Sequence, residues 1–121
     1  MTEDSVSPER RAARRVPLAL SVRVAEPAGA RYHTRDLSWE GLFLCTARPL
    51  ELGEELELSL ELGTGASLKA TGVVARTQIV QMVGEQPLLS GMALRFTRLE
   101  PGDQERLKRL VEGVWQALAN A

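Results

Sequence analysis

Leu56, Leu58, Leu60 and Leu62 alternate with Glu55, Glu57, Ser59 and Glu61, and this strict period of two most narrows the folds open to the chain. On a helix these leucines would spread around the axis. On a strand they form one apolar face, with the acidic side chains on the other. A sheet with one face on a core and the other in water is characteristically antiparallel. The same alternation recurs in Leu18, Leu20, Val22 and Val24, and again in Leu88, Ser90, Met92, Leu94 and Phe96. Residues 32–36 and 42–46 read as further strands, and residues 68–81 as one long bent strand with Gly72 as its bulge. Turns are expected at 26–30, which holds Pro27 and Gly29, at Gly41, and at 63–65.

The pattern changes after Pro101. Leu107, Leu110, Val111, Val114, Trp115 and Leu118 recur at spacings of three and four, the stripe of an amphipathic helix. Pro101 suits a first helical turn, and Asp103 favours the positive end of the helix dipole. Short strands followed by one helix predict an all-β fold, an antiparallel barrel or sandwich covered by that helix. The helix is expected to close one barrel opening, with Trp115 supplying the apolar contact. At 121 residues the chain has room for one core.

Charge is more informative locally than in sum. The net charge of −1 argues against a whole-molecule field for nucleic acid or anionic membrane. Yet Arg10, Arg11, Arg14 and Arg15 fall within six residues, while Glu51, Glu54, Glu55, Glu57 and Glu61 crowd another segment. The glutamates alternate with leucines, which reads as a solvated strand face and not a metal seat. Cys45 is the single cysteine and His33 the single histidine, so neither zinc-ligand spacing nor a nucleophile–base pair is on offer. Cys45 reads as a small buried hydrophobe, and His33 and Tyr32 as strand residues. Residues 1–9 are polar, without the apolar stretch of a secretory signal, and no run nears membrane-spanning length. A cytoplasmic, non-enzymatic protein is expected.

Two short constellations carry the chemistry. The first is residues 9–17, Glu-Arg-Arg-Ala-Ala-Arg-Arg-Val-Pro, and the second is Asp36-Leu37-Ser38-Trp39-Glu40-Gly41. Together they resemble the paired signatures of the PilZ domain family, an RxxxR arm and a D/NxSxxG turn. Residues 91–96, Gly-Met-Ala-Leu-Arg-Phe, followed by the terminal helix, are similar to that family's last strand. The resemblance implies a six-stranded antiparallel β-barrel over 16–97 with a C-terminal helix over 100–119, preceded by a flexible tail over 1–9 and an arginine arm over 10–15. It implies that cyclic di-GMP is bound through Arg11, Arg15, Asp36, Ser38 and Gly41. Arg10 with Arg14 also reads RxxxR. The Arg11/Arg15 register is preferred because Arg15 abuts Val16-Pro17, where the family's strand begins, with Arg10 and Arg14 adding phosphate attraction.

These residue types suit that ligand. A guanidinium grips guanine O6 and N7, or two phosphate oxygens, in bidentate fashion. An ionised Asp36 accepts from the N–H groups of a guanine edge, Ser38 offers a short hydroxyl, and Gly41 permits positive φ and close approach. Read without the arginines, the Asp36 to Gly41 stretch is an ordinary turn sequence. Trp39 reads as packing against the loop or rim, with stacking on a guanine as the other role. The arm, rich in like charge, is expected to gain its order from the ligand. The function implied is a cyclic di-GMP receptor or adaptor that signals to an unidentified effector protein in motility or exopolysaccharide control, as a monomer or weak homodimer. The alternative is an interaction module of the same fold that binds no nucleotide. A nucleic-acid-binding barrel is disfavoured, because only Trp39, Tyr32 and Phe43 could serve as base platforms near the basic arm.

Overall fold

The structure is a computed structural model that describes residues 14–25, 30–63, 65–79, 82–87 and 90–120. The strands are β1 (Val16–Pro17), β2 (Ser21–Val24), β3 (Ala30–Leu37), β4 (Gly41–Cys45), β5 (Glu55–Glu61), β6 (Ser67–Gln78), β7 (Met82–Val83), β8 (Gln86–Pro87) and β9 (Gly91–Leu99), followed by helix α1 (Pro101–Ala119). Sheet order runs β1-β3-β2-β5-β6-β9-β4, and β4 pairs back onto β3. That last pairing closes six strands, β2 to β6 with β9, into an antiparallel barrel, the architecture expected from the sequence. All pairings are antiparallel. Strands β7 and β8 form a separate hairpin.

The leucine alternation does what its period requires. Leu56, Leu58 and Leu60 are buried in the core while Glu55 and Glu57 face solvent. Each such leucine contributes about 1.5–3 kcal/mol by leaving water. Facing strands add Val22, Val24, Leu42, Leu44, Leu68, Val74, Met92 and Leu94. Gly72 sits where the β6–β9 register shifts, as the sequence predicts for a bulge, and a second shift lies between Val74 and Arg76.

The stretch 16–25, expected as one strand, is broken. β1 pairs with the C-terminal end of β3, β2 with its N-terminal half, and residues 18–20 between them join neither ladder. Their backbone groups turn to Thr34 of β3, a buried residue. Its Oγ1 accepts from the Leu20 amide at 2.8 Å and donates to the Leu18 carbonyl. Buried backbone groups leaving a ladder must find partners, and this hydroxyl supplies two.

Helix α1 starts on Pro101, with Asp103 in its first turn. Arg106 bonds Asp103 at 2.8 Å and the Ser67 carbonyl at 3.1 Å, pinning the helix start to β6. Leu107 and Val111 are fully buried, and Leu110 and Val114 are partly so. Trp115 does not supply the contact expected of it: it is 40% exposed, and Leu118 is 50% exposed, so the stripe is seated only as far as Val114. Among the described residues no helix is long and apolar enough to cross a membrane.

Candidate functional site

The turn between β3 and β4 is built by Ser38. Its hydroxyl accepts from the amides of Glu40 at 3.0 Å and Gly41 at 3.2 Å and also contacts the Gly41 carbonyl at 3.3 Å. Its own amide donates to that carbonyl at 2.9 Å. With Ser38 only 2% exposed, the hydroxyl read as a ligand group is consumed by the turn in this state.

Gly41 departs from expectation in its reason, not its place. Among the described residues the positive-φ glycines are Gly53, Gly63, Gly65 and Gly84, and Gly41 is not one of them. What it lacks is room: a Cβ there would collide with the Leu94 carbonyl oxygen and crowd Arg95 Cα. Gly41 is therefore a strand-contact glycine, letting β4 approach β9. Gly91 plays the same part at the other end of that pairing, where a Cβ would strike the Leu44 carbonyl and the Phe43 ring.

Asp36, with its side chain 16% exposed, points to the arginines. Arg15 Nη1 is in direct contact with Asp36 Oδ1, and Arg35 Nε lies 3.2 Å from Oδ2. The carboxylate thus bridges the arm and β3, accepting a charge-assisted bond on each oxygen. Arg35 also covers the Phe43 ring at 3.9 Å, closing the outer side of that buried aromatic. Arg14 takes another direction. Its Nε lies 3.2 Å from Glu112 Oε2 and its guanidinium lies 4.6 Å from the Trp115 ring, both on α1. Arg10 and Arg11 lie outside the described residues. The two described arm arginines already have partners without ligand, which differs from an arm ordered by ligand alone.

Beside Arg15 the barrel wall opens into a cleft of about 780 Å³. Trp39, Glu40 and Gly41 form one edge, Ala75, Ala93, Arg95 and Thr97 the strand floor, and Arg98 and Gln104 the far side. Lys108 of α1 approaches the Trp39 ring at 5.9 Å. Trp39 packs against the core, the role expected of it, and lines the cleft as well. Cys45 is half-buried and its thiol is pushed up by that burial, the opposite of what a poised nucleophile needs.

The sequence reading missed Arg95, Arg98, Lys108 and Arg35. For Arg95 the signal was present in part: it alternates with the buried Leu94 and so must face outward. Its pairing with Gly41 depends on strand register.

The fold and cleft together define a class: a closed antiparallel barrel with a cleft on its outer wall, flanked by an arginine arm and a serine-built turn. The PilZ domain family matches residues 9–113, nearly the whole chain, and the chain belongs to that family. Solved structures agree on the fold. The chain is similar to the Bacillus subtilis inhibitor of motility MotI/DgrA, with TM-score 0.73 at 22% identity over 89% of this chain and 52% of that one. It is similar to the PilZ domain of Escherichia coli YcgR, solved with c-di-GMP, with TM-score 0.70 at 17% identity over 92% of this chain and 95% of that one. It is also similar to K. pneumonia MrkH in its c-di-GMP complex, with TM-score 0.75 at 21% identity over 93% and 56% of the two chains. The chain thus spans about half the length of the MotI/DgrA and MrkH structures. No curated protein matches the chain.

Proposed function

We propose that the chain is a cyclic di-GMP receptor that binds the nucleotide in the cleft beside Arg15 and passes its occupancy to a partner protein. The observation that carries this reading is the meeting of the two motifs: Arg15 of the arm, which lines a cleft large enough for a small ligand, contacts Asp36 of the second motif. Relatives of the same fold, YcgR and MrkH, were solved with that nucleotide.

In this reading Arg11 and Arg15 provide the guanidinium grips and Asp36 accepts from a guanine edge. Ser38 and Gly41 hold the turn in place and approach the ligand with backbone. The directions of the two described arginines, Arg15 toward Asp36 and Arg14 toward Glu112 and Trp115, favour the register that contains Arg15. The output is an adaptor function in the cytoplasm, in motility or exopolysaccharide control, with the exposed end of α1 as the surface altered for an effector. The protein acts as a monomer or weak homodimer.

Calorimetric titration of the purified chain with cyclic di-GMP, against cyclic di-AMP and GTP, tests the reading. Saturable heat with cyclic di-GMP and much weaker response to cyclic di-AMP is expected, because adenine presents a donor where guanine presents O6. Equal affinity for the two dinucleotides would overturn guanine reading. No heat with either, from folded protein, would favour the interaction module that binds no nucleotide.

A further inference from the structure

The geometry points to Arg95 as a further ligand-binding residue, outside both motifs, that holds a phosphate of the bound dinucleotide; this rests on the receptor reading above. Arg95 lies on β9, directly opposite Gly41 on β4 and Val73 on β6. Leu94 before it is buried in the core, so the Arg95 side chain stands on the outer wall, where it lines the cleft. Its neighbour across the β4 ladder has no side chain. Arg95 and Gly41 both line the cleft, and cross-strand partners sit only about 5 Å apart. Ala75, Ala93 and Thr97 keep the rest of the floor low. A ligand lying on this floor with one edge at Arg15 has Arg95 beside it.

Charge gives the second reason. Arg15 is already paired with Asp36, and Arg14 with Glu112. Among the described residues no ion pair is formed by Arg95 or Arg98. An anion reaching Arg95 strips no carboxylate from it, whereas one reaching Arg15 must share it with Asp36. The exposed Glu40 also lines the cleft and repels an anion from its own edge, which moves the favourable position toward β9. A phosphate accepts either the guanidinium fork or a single positive donor such as lysine, whereas a guanine edge asks for the fork.

The test uses the full chain, cyclic di-GMP and four proteins: wild type, Arg95→Ala, Arg95→Lys and Arg76→Ala. Arg76 is an exposed arginine of β6 outside the cleft lining, so it controls for loss of one positive charge. Arg95 is exposed, and melting curves of all four should coincide. Arg95→Ala is expected to weaken binding roughly tenfold or more, the loss of one good arginine contact. Arg95→Lys should keep most of the affinity, and Arg76→Ala should bind as wild type does. Wild-type affinity in Arg95→Ala, or an equal loss in Arg76→Ala, would overturn the assignment. A loss in Arg95→Lys as large as in Arg95→Ala would overturn the phosphate role. Absence of binding by wild type itself would overturn the receptor reading, and this assignment with it.

Discussion

Arg14 and Arg15 are adjacent in sequence yet serve two different regions of the molecule. Arg15 goes to the β3–β4 turn, a region knit by the hydroxyl of Ser38 and the carboxylate of Asp36. Arg14 goes to the outer half of α1, where Glu112 and the 40% exposed Trp115 hold it by one ion pair and one ring contact. The turn is rigid because its polar groups satisfy one another and Gly41 locks it against β9. The outer helix is held by surface contacts worth about 1 kcal/mol each or less. A site that must recognise a ligand benefits from the first kind of construction, and a surface that must change its partner from the second. One short segment joins the two, so in the proposed receptor a ligand held at Arg15 would be linked through it to Arg14 on α1.

The comparison can be broken by substitution, beginning where the effect is largest. Leu107→Ala removes a fully buried side chain that seats α1 and should cost about 2–5 kcal/mol in urea unfolding. Trp115→Ala should cost far less; a comparable loss would show that the outer helix is as firmly built as the inner. Gly41→Ala comes next, because the added methyl meets backbone that cannot rotate away. A loss of about 1–3 kcal/mol is expected from forced strand separation. Unchanged stability would mean that β4 and β9 yield easily and that the turn is less rigid than the Leu94 contact implies.

Binding variants sharpen the same contrast. Arg15→Ala should weaken cyclic di-GMP by ten- to a hundredfold in calorimetry, about 1–3 kcal/mol, while leaving the melting temperature nearly unchanged. Asp36→Ala should also weaken binding without unfolding the domain. Arg14→Ala should have the smallest effect, a few-fold in affinity, since it gives up an ion pair and a cation–π contact on a partly exposed helix face. A larger loss from Arg14→Ala than from Arg15→Ala would reverse the assignment of the two regions and with it the arginine register.

Much of the barrel was legible before any coordinates. The period of two in residues 55–62 has one structural meaning, and the spacing of Leu107 and Val111 is equally plain. The break at 18–20 was not legible, because its cause is a hydroxyl on another strand. The β7–β8 hairpin was hidden in what reads as a loop with Gly84 and Pro87. The stripe on α1 looked uniform, yet it is seated only as far as Val114, since periodicity shows which face is apolar and not how far the barrel extends to cover it. Asp36 and Arg15 were singled out by the paired motifs, and the structure brings them into contact. The local duties of Ser38 and Gly41 needed the turn and the neighbouring strand to be seen.

What the sequence by itself determined about this protein is therefore local: which residues face inward along each strand and along the first turns of the helix, where the chain must turn, and which motifs carry charge. These follow from backbone periods and residue chemistry, which hold wherever the segment lies. Only the tertiary structure decided that Arg15 meets Asp36 while Arg14 meets Glu112, that Gly41 yields to the Leu94 carbonyl, and that Arg95 stands beside the cleft. Each of these depends on pairing between segments far apart in the chain. The register of such pairs is set by closure of the whole barrel, a constraint that no single stretch of residues contains.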